Sequence, residues 1–220
     1  MSIELFEQIP VLFPVEFFSL SCPVNYSKFS LIMPTSRAMR KSFILPDTSK
    51  LLAEEKFADV ALCWDEEGVC IEVFVDKPFE EVYFPFFSKG DAIELFFDTR
   101  NLKTAGFATR FCHHFVILPQ SVQDVQAMEM THFRTEDTHP LCDPKDLSVE
   151  AAFQKKSYSV RILIPAACLH GYDPKVCDKM GFTYRIHRYG GNPQHFAVSS
   201  EHFSLEQSPR LWASLTLKSK

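Results

Sequence analysis

Residues 58–76 read ADVALCWDEEGVCIEVFVD, and their periodicity decides the fold class. Val60, Leu62 and Trp64 recur at every second position, and Val69, Ile71, Val73 and Val75 do the same beyond Asp65-Glu66-Glu67-Gly68. Side chains along a strand alternate between its two faces. A period of two on both arms of a short acidic, glycine-ended turn therefore predicts a β-hairpin. The apolar set is expected to face a core, with Cys63, Cys70, Glu72 and Phe74 on the other face. This register sets Trp64 opposite Val69 and Cys63 opposite Cys70. Opposed residues are close enough for a bridge in principle, although reduced thiols are expected there.

Working outward, DAIELFFD at 91–98 predicts a second clear strand, with Ile93, Leu95 and Phe97 on one face and Glu94 and Phe96 on the other. Further strands are expected at 111–118, 125–131, 149–153, 158–164, 181–188 and 211–217. A single helical turn is expected at 165–169, opened by Pro165. Many strands, short loops and almost no helix predict an all-β antiparallel sandwich. The composition agrees. The 220-residue chain is 46% apolar with 22 phenylalanines, enough for a continuous core, and its 14 prolines against 7 glycines suit strands joined by punctuated loops. No repeat or flexible linker divides it. The domain reading is an amino-terminal extension over 1–55, packed on a sandwich spanning 56–220.

A net charge of −5 supplies no general attraction for nucleic acid or anionic membrane. The opening MSIELFEQIPVLFPVEFFSL is greasy, but Glu4, Glu7, Pro10, Pro14 and Glu16 break every apolar run and no basic leader precedes them. Neither a cleavable signal nor a membrane span is expected, so the expected location is cytoplasmic, with export by a signal-less route left open. Arg37, Arg40 and Lys41 are read as a solvated basic turn. The seven cysteines show no CxxC pair, and free thiols are the simplest reading.

Residues able to do chemistry are few. Glu94 and Asp98 share a face but stand about 13 Å apart along an extended strand, too far for a cooperating retaining pair of carboxylates. Asp98 is read instead as a turn cap. His113 and His114 put one imidazole on each face of their strand. Cys112, His114 and His187 form a conceivable metal or thiol cluster, and His132, His139, Cys142 and Asp143 lie in or beside one loop; both sets are read first as structural. Tyr189-Gly190-Gly191-Asn192 is read as a turn rather than a phosphate cradle. No nucleophile elbow, P-loop, dinucleotide fingerprint or HExxH stands in the chain.

Five segments, in order, resemble the family-nine carbohydrate-binding modules and their wider sandwich superfamily: Leu62–Ile71 with its tryptophan and acidic turn, Gly90–Asp98 with its aspartate-x-x-glutamate strand, Val160–Pro165 with Leu169, Gly181–Ile186, and Pro209–Leu215. The resemblance covers roughly residues 55 to 217 and implies a jelly-roll-like sandwich. It implies a sugar site in which aromatic rings stack on apolar sugar faces while polar side chains bind the hydroxyl ring. By motif, Glu94 and Arg185 become the polar contacts. Phe87 and Phe203 stand near the positions of the family's two clamping tryptophans. Arg110, with His114, stands in place of an arginine on the strand that holds Cys112. Structural calcium in acidic loops is a further implication. The resulting expectation is a non-catalytic carbohydrate-binding-like module whose partner is a carbohydrate or a protein. The alternatives are a protein-interaction sandwich that has lost its sugar site and, more weakly, a hydrolase or thiol-dependent enzyme.

Overall fold

The computed structural model describes residues 19–28 and 41–218. The first eighteen residues, Arg37 and Arg40 lie outside them. Eleven strands are described: β1 Ser21–Asn25, β2 Ala58–Asp65, β3 Gly68–Val75, β4 Ala92–Asp98, β5 Cys112–Val122, β6 Val125–Glu129, β7 Ser148–Phe153, β8 Tyr158–Pro165, β9 Lys179–His187, β10 Gln194–His195 and β11 Ala213–Lys218. They form two sheets. One runs β1-β11-β9-β4-β5-β6 with β10 also on β9, and the other runs β2-β3-β8-β7. Every pairing is antiparallel except that of β1 with β11.

The alternation that predicts the hairpin is met in the β2–β3 register, with Trp64 opposite Val69 and Cys63 opposite Cys70. Val60, Leu62, Trp64, Val69, Ile71, Val73 and Val75 point into one core shared with Ile93, Leu95, Phe97, Phe115, Phe182 and Leu215 of the other sheet. Two sheets each apolar on one face bury those faces against each other, which is the sandwich. Each fully buried phenylalanine or leucine there contributes about 1.5–3 kcal/mol. Trp64 and Trp212 are both buried, and their indole N–H groups donate to the carbonyls of Val24 and Leu205.

Three expectations change. Residues 21–25, placed in the amino-terminal extension, are a strand of the larger sheet. The helical turn is a 3-10 turn at Ala166–Cys168, and Pro165 ends β8 rather than opening the turn. The thiols are not all free: Cys142 and Cys168, 26 residues apart, are joined with their Cα atoms 4.9 Å apart. The loop after β6 and the turn after β8 meet only in the folded chain, so no local spacing announces the bridge. Cys22, Cys63, Cys70, Cys112 and Cys177 remain free. Among the described residues, no helix is long and apolar enough to cross a membrane.

Candidate functional site on the outer face of the larger sheet

Ile93 and Leu95 fill the core, so Glu94 between them leaves β4 by the outer face of its sheet. The strand register sets it directly beside Arg185 of β9 and Val116 of β5. Parity brings two more side chains to the same face: His114, opposite Phe96, and His187, opposite Ala92. All of them meet on one carboxylate. Arg185 donates from Nε to Oε1 at 2.5 Å and from Nη2 to Oε2 at 2.9 Å. His114 Nε2 donates to Oε2 at 2.7 Å, and His187 Nε2 donates to Oε1 at 2.6 Å. Arg185 Nη2 also reaches Glu206 Oε1 at 2.7 Å, from the turn that follows Phe203.

Glu94 is fully buried. Burial by itself would raise its pKa, but hydrogen bonds from His114, His187 and Arg185 outweigh that and hold it far below the ordinary carboxylate range. Burial likewise opposes the charge on Arg185, and Glu94 with Glu206 more than restores it. A carboxylate with both oxygens engaged and its charge fixed is neither a general acid nor a nucleophile in waiting. It orients its neighbours. With Nε2 of each imidazole donating to Glu94, a neutral ring carries its lone pair on Nδ1. Neither His114 Nδ1, His187 Nδ1 nor Arg185 Nη1 hydrogen-bonds to another described residue. The face thus offers one cationic donor group and two imidazole Nδ1 atoms around a charged hub.

The aromatic residues named from the sequence lie on two sides of this network. Phe87 packs with Val82, Phe84, Val116 and Leu118, and its ring meets that of His187 edge-on at 6.3 Å. Phe203 packs against the cluster of Phe96, Leu205 and Trp212, and Phe96 in turn stacks on His114 at 4.3 Å. Phe86, next to Phe87, is 63% exposed with the Lys89 ammonium 5.0 Å from its ring centre.

The other sequence candidates separate from the hub. Arg110 lies before β5 and pairs with Asp137 at 2.5 Å rather than with Glu94. Asp98 caps the turn after β4 by accepting from the N–H groups of Arg100 and Leu102. Cys112 is on the face of His114 but packs with Phe96 and Trp212, and burial pushes its thiol up to about 12, so it offers no thiolate. The sequence reading groups His187 with Cys112 and His114, and the structure joins His187 and His114 through Glu94 instead, without Cys112. Glu206, on a loop turn, carries no periodic signal and is not found from the sequence.

Among the described residues, two groups of side chains lie close enough together to share a cation: His113, Glu129 and His139, and Cys142, Asp146 and Cys168. The two sulfurs of the second group are already bonded to each other. Calcium takes six to eight oxygen ligands. Neither group is a set of oxygen donors, so neither fits the calcium that the resemblance implies.

The arrangement of the two sheets is found in solved structures. A family 9 carbohydrate-binding module from Caldicellulosiruptor kristjanssonii, in complex with cellotriose, superposes with a TM-score of 0.62 over 91% of this chain and 94% of that one. The fold is that of the family 9 carbohydrate-binding modules. The same kind of module from that organism in complex with glucose gives a TM-score of 0.63, covering 91% of this chain and 96% of the other. Sequence identity is only 16% and 12%, so the likeness is one of fold. No protein-family model matches the chain, and no curated protein matches it significantly.

Proposed function

We propose that this domain binds carbohydrate on the outer face of its seven-stranded sheet, as a non-catalytic module. Arg185, His114 and His187 meet the sugar hydroxyls, Glu94 holds them in place, and Phe87 and Phe203 flank the sugar. The observation that carries the reading is the Glu94 hub. It presents the guanidinium as a donor beside two imidazole Nδ1 atoms, and a ring of hydroxyls, which both donates and accepts, can match either form of those rings. The two structures of similar fold that hold cellotriose and glucose support the same ligand class. A saturated Glu94 and a protonated Cys112 favour binding over catalysis.

A glycan array probed with the purified protein tests this. Specific binding should fall about tenfold or more in Arg185→Lys, which keeps the charge but loses the two-pronged hold on Glu94, and in Phe87→Ala. Silence across mono- and polysaccharides by a folded protein would sink the reading and turn attention to a protein partner for the same face.

A further inference from the structure

On the inner side of β5 stands a second polar cluster that the carbohydrate reading does not use. His113 points inward, and its Nδ1 lies 2.8 Å from Glu129 Oε1 on β6. His139, on the loop after β6, brings Nε2 to the same oxygen at 2.8 Å. Thr131 donates its hydroxyl to that oxygen at 2.7 Å, so three groups converge on one carboxylate oxygen. The other oxygen accepts from the Cys142 N–H at 2.7 Å. The side chains of His113, Glu129 and His139 are sealed from solvent to within 1%.

The proton count is short. His139 Nδ1 faces the Arg110 carbonyl at 2.7 Å while Nε2 faces Glu129 at 2.8 Å, so this ring sits between two acceptors. A neutral imidazole has one N–H to give. His113 repeats the arrangement more loosely, with the His170 carbonyl 3.5 Å from its Nε2. If the carbonyls take the protons, both nitrogens facing Glu129 carry lone pairs, directed at an anionic oxygen. A cation between them removes the repulsion. An imidazole whose far N–H is held by a backbone carbonyl is also the usual posture of a histidine that binds metal.

We propose that His113 Nδ1, His139 Nε2 and a Glu129 oxygen form a buried structural site for a divalent first-row transition ion of the zinc type. Two imidazoles and a carboxylate suit that class, whereas calcium requires an all-oxygen set. The ligand atoms lie within 4.8 Å of one another. Tetrahedral binding at 2.0–2.2 Å sets ligands ~3.3 Å apart, so each nitrogen, now 2.8 Å from Glu129 Oε1, needs to part from that oxygen by only about half an ångström. Thr131 Oγ1 or a water completes the coordination. The Cys142–Cys168 bridge ties the loop that carries His139 to the turn that precedes His170, closing the site.

The test is zinc uptake by the full chain, stripped with chelator and kept free of reductant so that the bridge stays intact. One equivalent of Zn2+ per chain and a raised melting temperature are expected, with no response to Ca2+. Co2+ in its place should show no thiolate charge-transfer band. Glu129→Gln and His139→Gln should weaken uptake more than ~10-fold, while Cys63→Ser with Cys70→Ser should leave it intact. Absent stoichiometric uptake by the folded wild type would overturn the proposal, making the cation a proton on His139. So would a thiolate band, or uptake indifferent to both ligand variants. Should those variants fail to fold, wild-type stoichiometry and the cobalt spectrum still decide.

Discussion

Four hydrogen bonds converge on the Glu94 carboxylate, and the order of the whole outer face depends on that one side chain. Replacing it by alanine leaves the Arg185 guanidinium largely buried without its main partner, which costs about 3–5 kcal/mol. Glu94→Gln separates charge from volume. Because the folded pKa of Glu94 is held far below the ordinary 4.5, the charge stabilises the fold fully above that value. That stabilisation is lost as the pH falls from 4.5 toward the much lower folded pKa. The melting-temperature gap between wild type and Glu94→Gln should therefore be widest near neutrality and shrink below 4.5. A gap that widens with acid would contradict the assignment. The parity of DAIELFFD was enough to put Glu94 on the outer face. Its saturation was not legible, because its partners arrive from strands 20 to 93 residues away.

At the scale of elements, the β2–β3 hairpin was readable because one face of each arm enters the core and the turn between them is short. Its last turn residue is also constrained. Gly68 has φ +147°, and a Cβ there would come within 2.2 Å of the Ile164 carbonyl oxygen on β8. Gly68→Ala must both strain the backbone and push two paired strands apart, and it should destabilise the protein by about 2–4 kcal/mol in denaturant titrations. A neutral result would mean that β8 can move freely, against its full-length pairing with β3. Strand β1 escaped the sequence reading for a physical reason. Pro23 lowers its strand signal, yet β1 pairs only with β11, so an edge position tolerates the missing N–H. The two residues of β10 are too few to show any period.

At the scale of the molecule, the Cys142–Cys168 bridge joins segments that periodicity treats separately. Closing a loop of about this length limits the unfolded chain and contributes about 3–4 kcal/mol. Replacing both cysteines by alanine should lower the denaturant midpoint accordingly, and a reductant should shift wild type toward the variant while leaving the variant unmoved. The sandwich class was legible because period two pervades the chain. The bridge and the inner His113–Glu129–His139 cluster were not, since each depends on loops whose approach only the finished fold defines. The two clusters nevertheless touch through one strand. His113 and His114 are neighbours on opposite faces of β5, and the His114 N–H donates to Thr131, whose hydroxyl serves Glu129.

The side-by-side, same-direction run of β1 and β11 also has a mechanical meaning. A pull applied at Ser21 and at Lys218 drags the two strands past each other along their length. The load falls at once on the contacts linking five residue pairs, from Ser21 beside Ser214 to Asn25 beside Lys218, instead of peeling them one by one. Tension in that direction meets a shear clamp, and rupture under it is governed by how slowly that clamp lets go rather than by how stable the sandwich is at rest.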